Sequence, residues 1–169
     1  KINKKDICYI NKKFEIEIII SFKGIKQGIE NTNYLLRSKN KKFILTIFEK
    51  RVSQNEIPFF MKLMDQLNNS KMSCPKPQKD KSGSYLIKIK KKTACIVSFI
   101  KGKDKKSLNL KNCYDIGKMV AEIHLSTKKI NLFRKNSMGI KYLNPLLNSI
   151  KFKTKKFINV EKFLKANFK

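Results

Sequence analysis

Apolar residues recur with a period of two near the N-terminus, then with a period of three to four, then with two again, and these switches lay out the elements. Residues 1–13 offer a short polar helix or an irregular lead, with Ile2, Ile7 and Ile10 as its buried side. Positions 15–22 alternate and then run apolar through Ile16, Ile18, Ile19, Ile20 and Phe22, which predicts a strand entering a sheet. Gly24 and Gly28 follow, where the chain can take positive φ or approach a neighbour closely. A second strand is expected over 29–37, a polar turn over 38–41, and a third strand over 42–49 with Phe43, Leu45 and Ile47 on one side. Together these make an antiparallel meander.

The period then lengthens. Ser53 or Asn55 can cap a helix that tolerates Pro58 in its first turn and carries Phe59, Phe60, Leu63, Met64 and Leu67 at helical spacing, ending at Asn68-Asn69-Ser70. The Phe59, Phe60, Met61 and Met64 group reads as core packing. Cys74-Pro75-Lys76-Pro77 must be extended, since proline disfavours helix for itself and for the residue before it. Two more strands are expected over 85–90 and 93–99, the second a continuous apolar run suited to an inner position. A charged, Gly-bearing link over 100–106 breaks the pattern. The clearest helix follows over 108–127, with Cys113, Ile116, Gly117, Val120, Ala121 and His124 along one face. Residues 130–138 read as loop, 139–150 as an irregular segment interrupted by Pro145, and 159–168 as helical through Val160, Phe163 and Leu164.

Length and composition allow a core: 169 residues, 41% hydrophobic. The formal charge of +28 first points to nucleic acid or an acidic membrane surface. Two features turn the reading away from both. Arginine occurs only at 37, 51 and 134, although phosphate and base edges favour its bidentate fork, and the lysines are spread over the whole length among abundant Ile and Asn. A compositional bias explains this better than a binding stripe does. Cys8, Cys74, Cys95 and Cys113 form no CxxC pair and there is one histidine, so a zinc site is not expected; Cys95 and Cys113, in apolar runs, read as buried free thiols in a reducing cytoplasm. No stretch approaches the roughly 18 apolar residues needed to cross a bilayer, and 1–10 lacks the apolar centre of a signal peptide. The chain starts at Lys1 without a methionine, and a fragment of a longer protein is expected.

Candidate chemistry gathers between Ser21 and Arg51. Two apolar runs flank a loop of small polar residues, Glu30-Asn31-Thr32-Asn33, and such a tip can fold over phosphates. Asn and Thr also satisfy the backbone of ordinary hairpin turns, so the residues alone leave both readings open. Three strands, a helix, two strands and a short link to a helical lobe is the order found in kinases, whose first hairpin covers the ATP phosphates. The runs at 21–36 (SFKGIKQGIENTNYLL), 43–51 (FILTIFEKR), 56–67 (EIPFFMKLMDQL), 74–77 (CPKP), 96–102 (IVSFIKG) and 117–126 (GKMVAEIHLS) resemble, in this order, the bacterial homoserine kinases of the aminoglycoside phosphotransferase and choline kinase superfamily. The most specific part is GIENTNYLL together with FILTIFEKR and the Pro-Phe-Phe helix.

The resemblance implies an α+β, protein-kinase-like fold. A five-stranded antiparallel small lobe with one helix is expected over 1–99, a hinge over 100–107, and the start of a helical lobe over 108–169. It implies ATP-dependent phosphorylation of the L-homoserine hydroxyl, with Mg²⁺, in threonine biosynthesis, in the cytoplasm and without a nucleic-acid or membrane partner. Gly28, Glu30, Asn31, Thr32 and Asn33 would cover the phosphates. Thr46 stands where kinases usually carry a third-strand lysine; Lys50 or Arg51 could supply the charge, or simply be solvated strand-end residues. Glu56 matches the kinase helix glutamate and also suits the helix N-terminus. Ser98 and Ile100 would flank the adenine hinge. His124 reads as a packed helix residue, because the resembling enzymes use an aspartate as base. No His-Gly-Asp catalytic loop with its following Asn, and no following metal-binding Asp motif, occurs in the 169 residues, so the catalytic base and the main Mg²⁺ ligands are expected beyond Lys169 and this chain alone is expected to be inactive. The alternatives are a sibling kinase for choline, methylthioribose or an aminoglycoside, a nucleotide sensor without catalysis, and a basic nucleic-acid-binding module.

Overall fold

The computed structural model describes residues 1–26, 30–49, 53–70, 72–102, 105, 107–135, 139, 141, 142, 145, 162 and 166. Two compact units emerge, Lys1–Leu132 and Phe133–Lys169.

In the first unit, helix α1 (Lys4–Lys13) begins with a capping box. Asn3 accepts from the Asp6 N–H, and Asp6 accepts from the Asn3 N–H, which satisfies two donors that the helix start leaves over. Ile7 and Ile10 form its buried stripe, and Ile2 is buried just before it, as the spacing predicts. The strand expected over 15–22 forms later, as β1 (Ser21–Ile25). The reason is visible at Ile19, whose N–H and C=O are both taken by the Asn11 carboxamide (2.9 and 3.1 Å). Those are the groups a ladder would have used. Ile19 is buried, while Ile18 and Ile20 are exposed. Gly24 therefore lies within β1, and a Cβ there would sit 3.7 Å from the Tyr34 ring, an ordinary contact.

Strands β2 (Asn31–Arg37) and β3 (Lys42–Phe48) complete the meander. Glu17 closes the turn between them from outside. Its carboxylate accepts from Ser38 Oγ, from the Asn40 N–H (2.8 Å) and side-chain amide (3.0 Å), and from the Lys41 N–H (3.2 Å). These donors, Ser38 first, lower its pKa to about 2.

Helix α2 (Ile57–Asn69) starts one residue after Glu56, not on a Ser53 or Asn55 cap. Glu56 is already in the α region because its N–H donates to the Ser53 carbonyl (2.9 Å), a tight turn that feeds straight into the helix, and Pro58 sits in the first turn. The CPKP stretch then runs beside the end of β5 (Lys92–Ser98), with Pro77 bridged to Val97 and the Gln78 N–H donating to the Ile96 carbonyl (2.8 Å). Strand β4 (Leu86–Ile89) joins β5 through a two-residue turn in which Lys90 and Lys91 both have positive φ, 49° and 67°. The sheet is antiparallel throughout, in the order β1-β2-β3-β5-β4. The expected inner strand is indeed inner: Thr93 to Val97 are all buried.

Helices cover both faces of this sheet. Against α1 pack Tyr34, Leu36, Phe43, Leu45, Ile47, Ile87, Ile89, Ala94 and Ile96. Against α2 pack Cys95 and Val97 with Ile57 and Met61, and partly buried Ile44, Phe48, Phe60, Met64, Tyr85 and Leu86 around them. Tyr85 Oη donates to Asp65 (2.7 Å), tying the middle of α2 to the start of β4.

Helix α3 (Leu110–Thr127) forms where expected, with Asn109 and Asn112 as its capping box. Its expected apolar face is not covered, however. None of its residues is buried, and Cys113, Ile116, Val120 and His124 are exposed. Cys113 and His124 are thus not packed as their spacing suggested, because periodicity marks a face without bringing it a neighbour. Cys95 is the buried free thiol that was expected, and burial pushes its pKa up to about 12.

In the second unit Lys141, Tyr142 and Pro145 are helical inside the segment read as irregular. Of 159–168 only Lys162 and Ala166 are described, both helical; Val160, Phe163 and Leu164 lie outside the described residues. Among the described residues no helix is long and apolar enough to cross a membrane.

Candidate functional site

The hairpin tip sits at one end of the sheet, where β2 begins and β3 ends. Cross-strand register pairs Asn31 with Phe48, Thr32 with Ile47, and Asn33 with Thr46. Side chains alternate along a strand, so the three polar residues divide between the faces. Asn31 and Asn33 share the α2 face with Thr46, between Ile44 and Phe48, while Thr32 shares the α1 face with Tyr34 and Ile47.

On the α2 face Thr46 Oγ1 donates to Asn33 Oδ1 (2.8 Å), and the Glu49 N–H makes a long 3.5 Å bond to Asn31 Oδ1. On the α1 face Thr32 Oγ1 donates to Glu49 Oε1 (2.9 Å), and the Lys92 ammonium is ion-paired with the same carboxylate. Lys92 first, then Thr32, holds the Glu49 carboxyl below the usual carboxylate range. Glu49 is therefore a clamp at the base of the tip, bonded to Asn31 through its backbone and to Thr32 through its side chain.

Of the other residues singled out by the sequence, Glu30 is exposed at the start of β2 and Gly28 lies outside the described residues, as do Lys50 and Arg51. Glu56 is half-buried at the head of α2, where its carbonyl accepts from the Phe59 N–H (3.1 Å). Ser98, at the end of β5, is engaged twice by Lys76: its N–H donates to the Lys76 carbonyl (2.9 Å) and its Oγ accepts from the Lys76 N–H (2.8 Å). The Phe99 N–H donates to the Lys42 carbonyl (3.1 Å), and Ile100 beyond it is exposed. The structure thus brings Asn31, Asn33 and Thr46 together, and turns Thr32 to the far side of the sheet.

Sequence reasoning passed over Glu49 and Lys92. Glu49 closes the 43–51 run and Lys92 ends a run of three lysines, so neither differs in kind from the many charged residues around it. Only the β3–β5 register, which sets Ile47 against Ala94, carries one toward the other two residues further on. Among the described residues no group of three or more His, Cys, Asp or Glu gathers that could hold a metal ion. A cavity between the start of the CPKP connection and α3, lined by Met72, Ser73, Asp115, Lys118, Met119 and Glu122, has no wall in common with the tip.

Residues 21–150 match the family described as "Phosphotransferase enzyme family". The homoserine kinase of Paramagnetospirillum magneticum is 37% identical over 139 residues, which is 82% of this chain and 43% of that protein. That of Parvibaculum lavamentivorans is 34% identical over 136 residues, 80% of this chain and 42% of the relative. The chain therefore spans a little over two fifths of the curated relatives it matches. Among solved structures, an amicoumacin kinase in complex with AMP-PNP and Ca²⁺ is similar at a TM-score of 0.66 and 12% identity, covering 98% of this chain and 53% of that one. A spectinomycin phosphotransferase in complex with ADP and spectinomycin gives 0.59 and 12%, covering 97% and 53%. At such identity the likeness concerns the fold, here a kinase-like sheet with its flanking helices. With the family match running from β1 past the end of α3, this chain belongs to the phosphotransferase enzyme family.

Proposed function

We propose that this chain is the nucleotide-holding portion of a homoserine kinase. The observation that carries the reading is the match over about four fifths of the chain to homoserine kinases at 34 to 37% identity. In the reaction the side-chain hydroxyl of L-homoserine attacks the γ-phosphorus of ATP; a new O–P bond forms, the bond to the β-γ bridging oxygen breaks, and ADP leaves with that oxygen. A protein contributes mainly position and neutralisation of charge to such a transfer. Asn31 and Asn33 on the α2 face suit phosphate oxygens as donors, with Gly28, Glu30 and Thr32 completing the tip and the strand behind it. Glu56 lies at the head of the helix on the same side, and the backbone around Ser98 and Ile100 suits the adenine edge. The residue groups at 1–99, 100–107 and 108–169 act as nucleotide lobe, hinge and start of the acceptor lobe. In this reading the aspartate base and most of the Mg²⁺ ligands lie outside these 169 residues, and the protein works in the cytoplasm.

Phosphorylation of L-homoserine, choline, methylthioribose and an aminoglycoside, each with ATP, tests the reading in the product of the whole reading frame and in the 169-residue chain. Homoserine is expected to be the preferred acceptor of the former, and the latter is expected to be inactive. Preference for another alcohol would replace homoserine with that substrate. Turnover by the 169-residue chain at an ordinary kinase rate would overturn the division of labour.

A further inference from the structure

The third strand carries no lysine at the position facing the tip, and the side chain that stands there, Thr46, bears no charge. Its hydroxyl donates to Asn33 Oδ1 across the β2–β3 ladder at 2.8 Å. Two residues earlier on β2, Asn31 does the same kind of thing: its Oδ1 accepts from the Glu49 N–H of the strand-end opposite. A backbone N–H can only donate, so this second bond identifies which end of the Asn31 carboxamide is turned toward β3. Both asparagines are anchored to β3 through their carbonyl oxygens.

A carboxamide has one acceptor and two N–H donors. With the acceptor ends held by β3, Asn31 and Asn33 each direct an NH₂ group away from it, two residues apart on one face of one strand. On β5, the residue paired with Thr46 is Cys95, which is buried in the apolar cluster under α2. A lysine stem in place of Thr46 would start beside that cluster, where an ammonium loses its water.

We propose that Thr46 is a positioning residue, and that it replaces the customary lysine by orienting Asn33 so that the Asn31–Asn33 pair holds a nucleoside triphosphate's phosphate oxygens through neutral N–H donors. This rests on the kinase reading above and deepens it. The tip then takes its anion by hydrogen-bond geometry in place of a fixed positive charge.

The test is calorimetric titration of ATP into the full-length protein and its variants, with KM for ATP and kcat measured alongside and thermal midpoints recorded. Thr46→Val keeps the shape and loses the donor; ATP affinity is expected to fall about fivefold to tenfold, the loss of one hydrogen bond, with KM for ATP rising while kcat and the thermal midpoint hold. Thr46→Ser, which keeps the hydroxyl, is expected to restore most of the affinity. Asn33→Asp puts a carboxylate where the NH₂ was and is expected to weaken ATP by more than about tenfold. Unchanged affinity in Thr46→Val, or equal losses in the Val and Ser variants, would overturn the positioning role. Unchanged affinity in Asn33→Asp would remove the carboxamide pair. Failure of the wild-type protein to bind ATP at all would instead overturn the kinase reading, and this proposal with it.

Discussion

On the α1 face of the sheet, Leu36, Leu45 and Ile96 are sealed beneath Ile10 and Phe14, and the packing continues without a break from β2 to β4. On the α2 face the sealed residues are few, Ile57, Met61, Cys95 and Val97, and they give way near the hairpin tip to the polar Asn31, Asn33 and Thr46. The same strands serve both faces, since one residue in two points each way. One face is consequently filled with apolar side chains, while the other turns polar toward the start of β2. The tip itself shows the division again: a charged clamp, Glu49 with Lys92 and Thr32, on the α1 face, and an uncharged pair, Asn33 with Thr46, on the α2 face.

The contrast can be broken most directly by truncating each core. Leu45→Ala on the α1 face is expected to cost about 2–5 kcal/mol of unfolding free energy, and Val97→Ala on the α2 face about 2 kcal/mol or less, read from denaturant midpoints. Equal losses would mean that the faces do not differ in how tightly they are packed. A smaller effect of opposite sign is expected at the β4–β5 turn, which belongs to neither face. Lys91 holds φ at 67°, where an L side chain meets the following carbonyl, so Lys91→Gly should raise stability by about 1 kcal/mol in the same measurement.

The smallest effects are those of pH on two carboxylates that pin loops to the sheet. Glu17 has a folded pKa of about 2 against an ordinary 4.5, so its donors stabilise the folded chain above the ordinary value, and that stabilisation is lost as pH falls from 4.5 toward 2. Glu49 is shifted in the same direction and loses its contribution over acid pH likewise. Glu17→Gln should flatten part of the acid slope of stability measured by unfolding between those values. Glu49→Gln should do so as well and, by losing the Lys92 ion pair, should loosen Thr32, seen as faster exchange of its amide hydrogen. An unchanged acid slope in both variants would show that these carboxylates do not couple folding to pH.

Much of the fold could be read before any coordinates. Strands β2 and β3 and helix α2 are periodic and β5 is a continuous apolar run, so their type follows from the sequence, whereas the capping boxes at Asn3 and Asn109 emerged only with the structure. The stretch 15–20 misled because its apolar residues are not arranged by a ladder: a side chain from α1, Asn11, occupies the Ile19 backbone instead. The start of α2 misled for a related reason, since a backbone turn from Ser53 to Glu56 does what a capping side chain would have done. In the candidate site the sequence could name Asn31, Thr32, Asn33 and Thr46 by type but not by face, since Thr32 points opposite to the other three, and Glu49 and Lys92 were hidden among like charges.

What the sequence determined by itself is therefore what is governed by neighbours a few residues apart: the period of each element, the polar tip between two apolar strands and the extended CPKP connection. Tertiary structure alone decided which of the polar residues meet. Asn33 reaches Thr46, 13 residues away, through the β2–β3 register, and Glu49 reaches Lys92, 43 residues away, because β5 returns to lie between β3 and β4. A side chain's face follows from its parity along a strand, but its partner follows from register, and register is set by packing over the whole sheet.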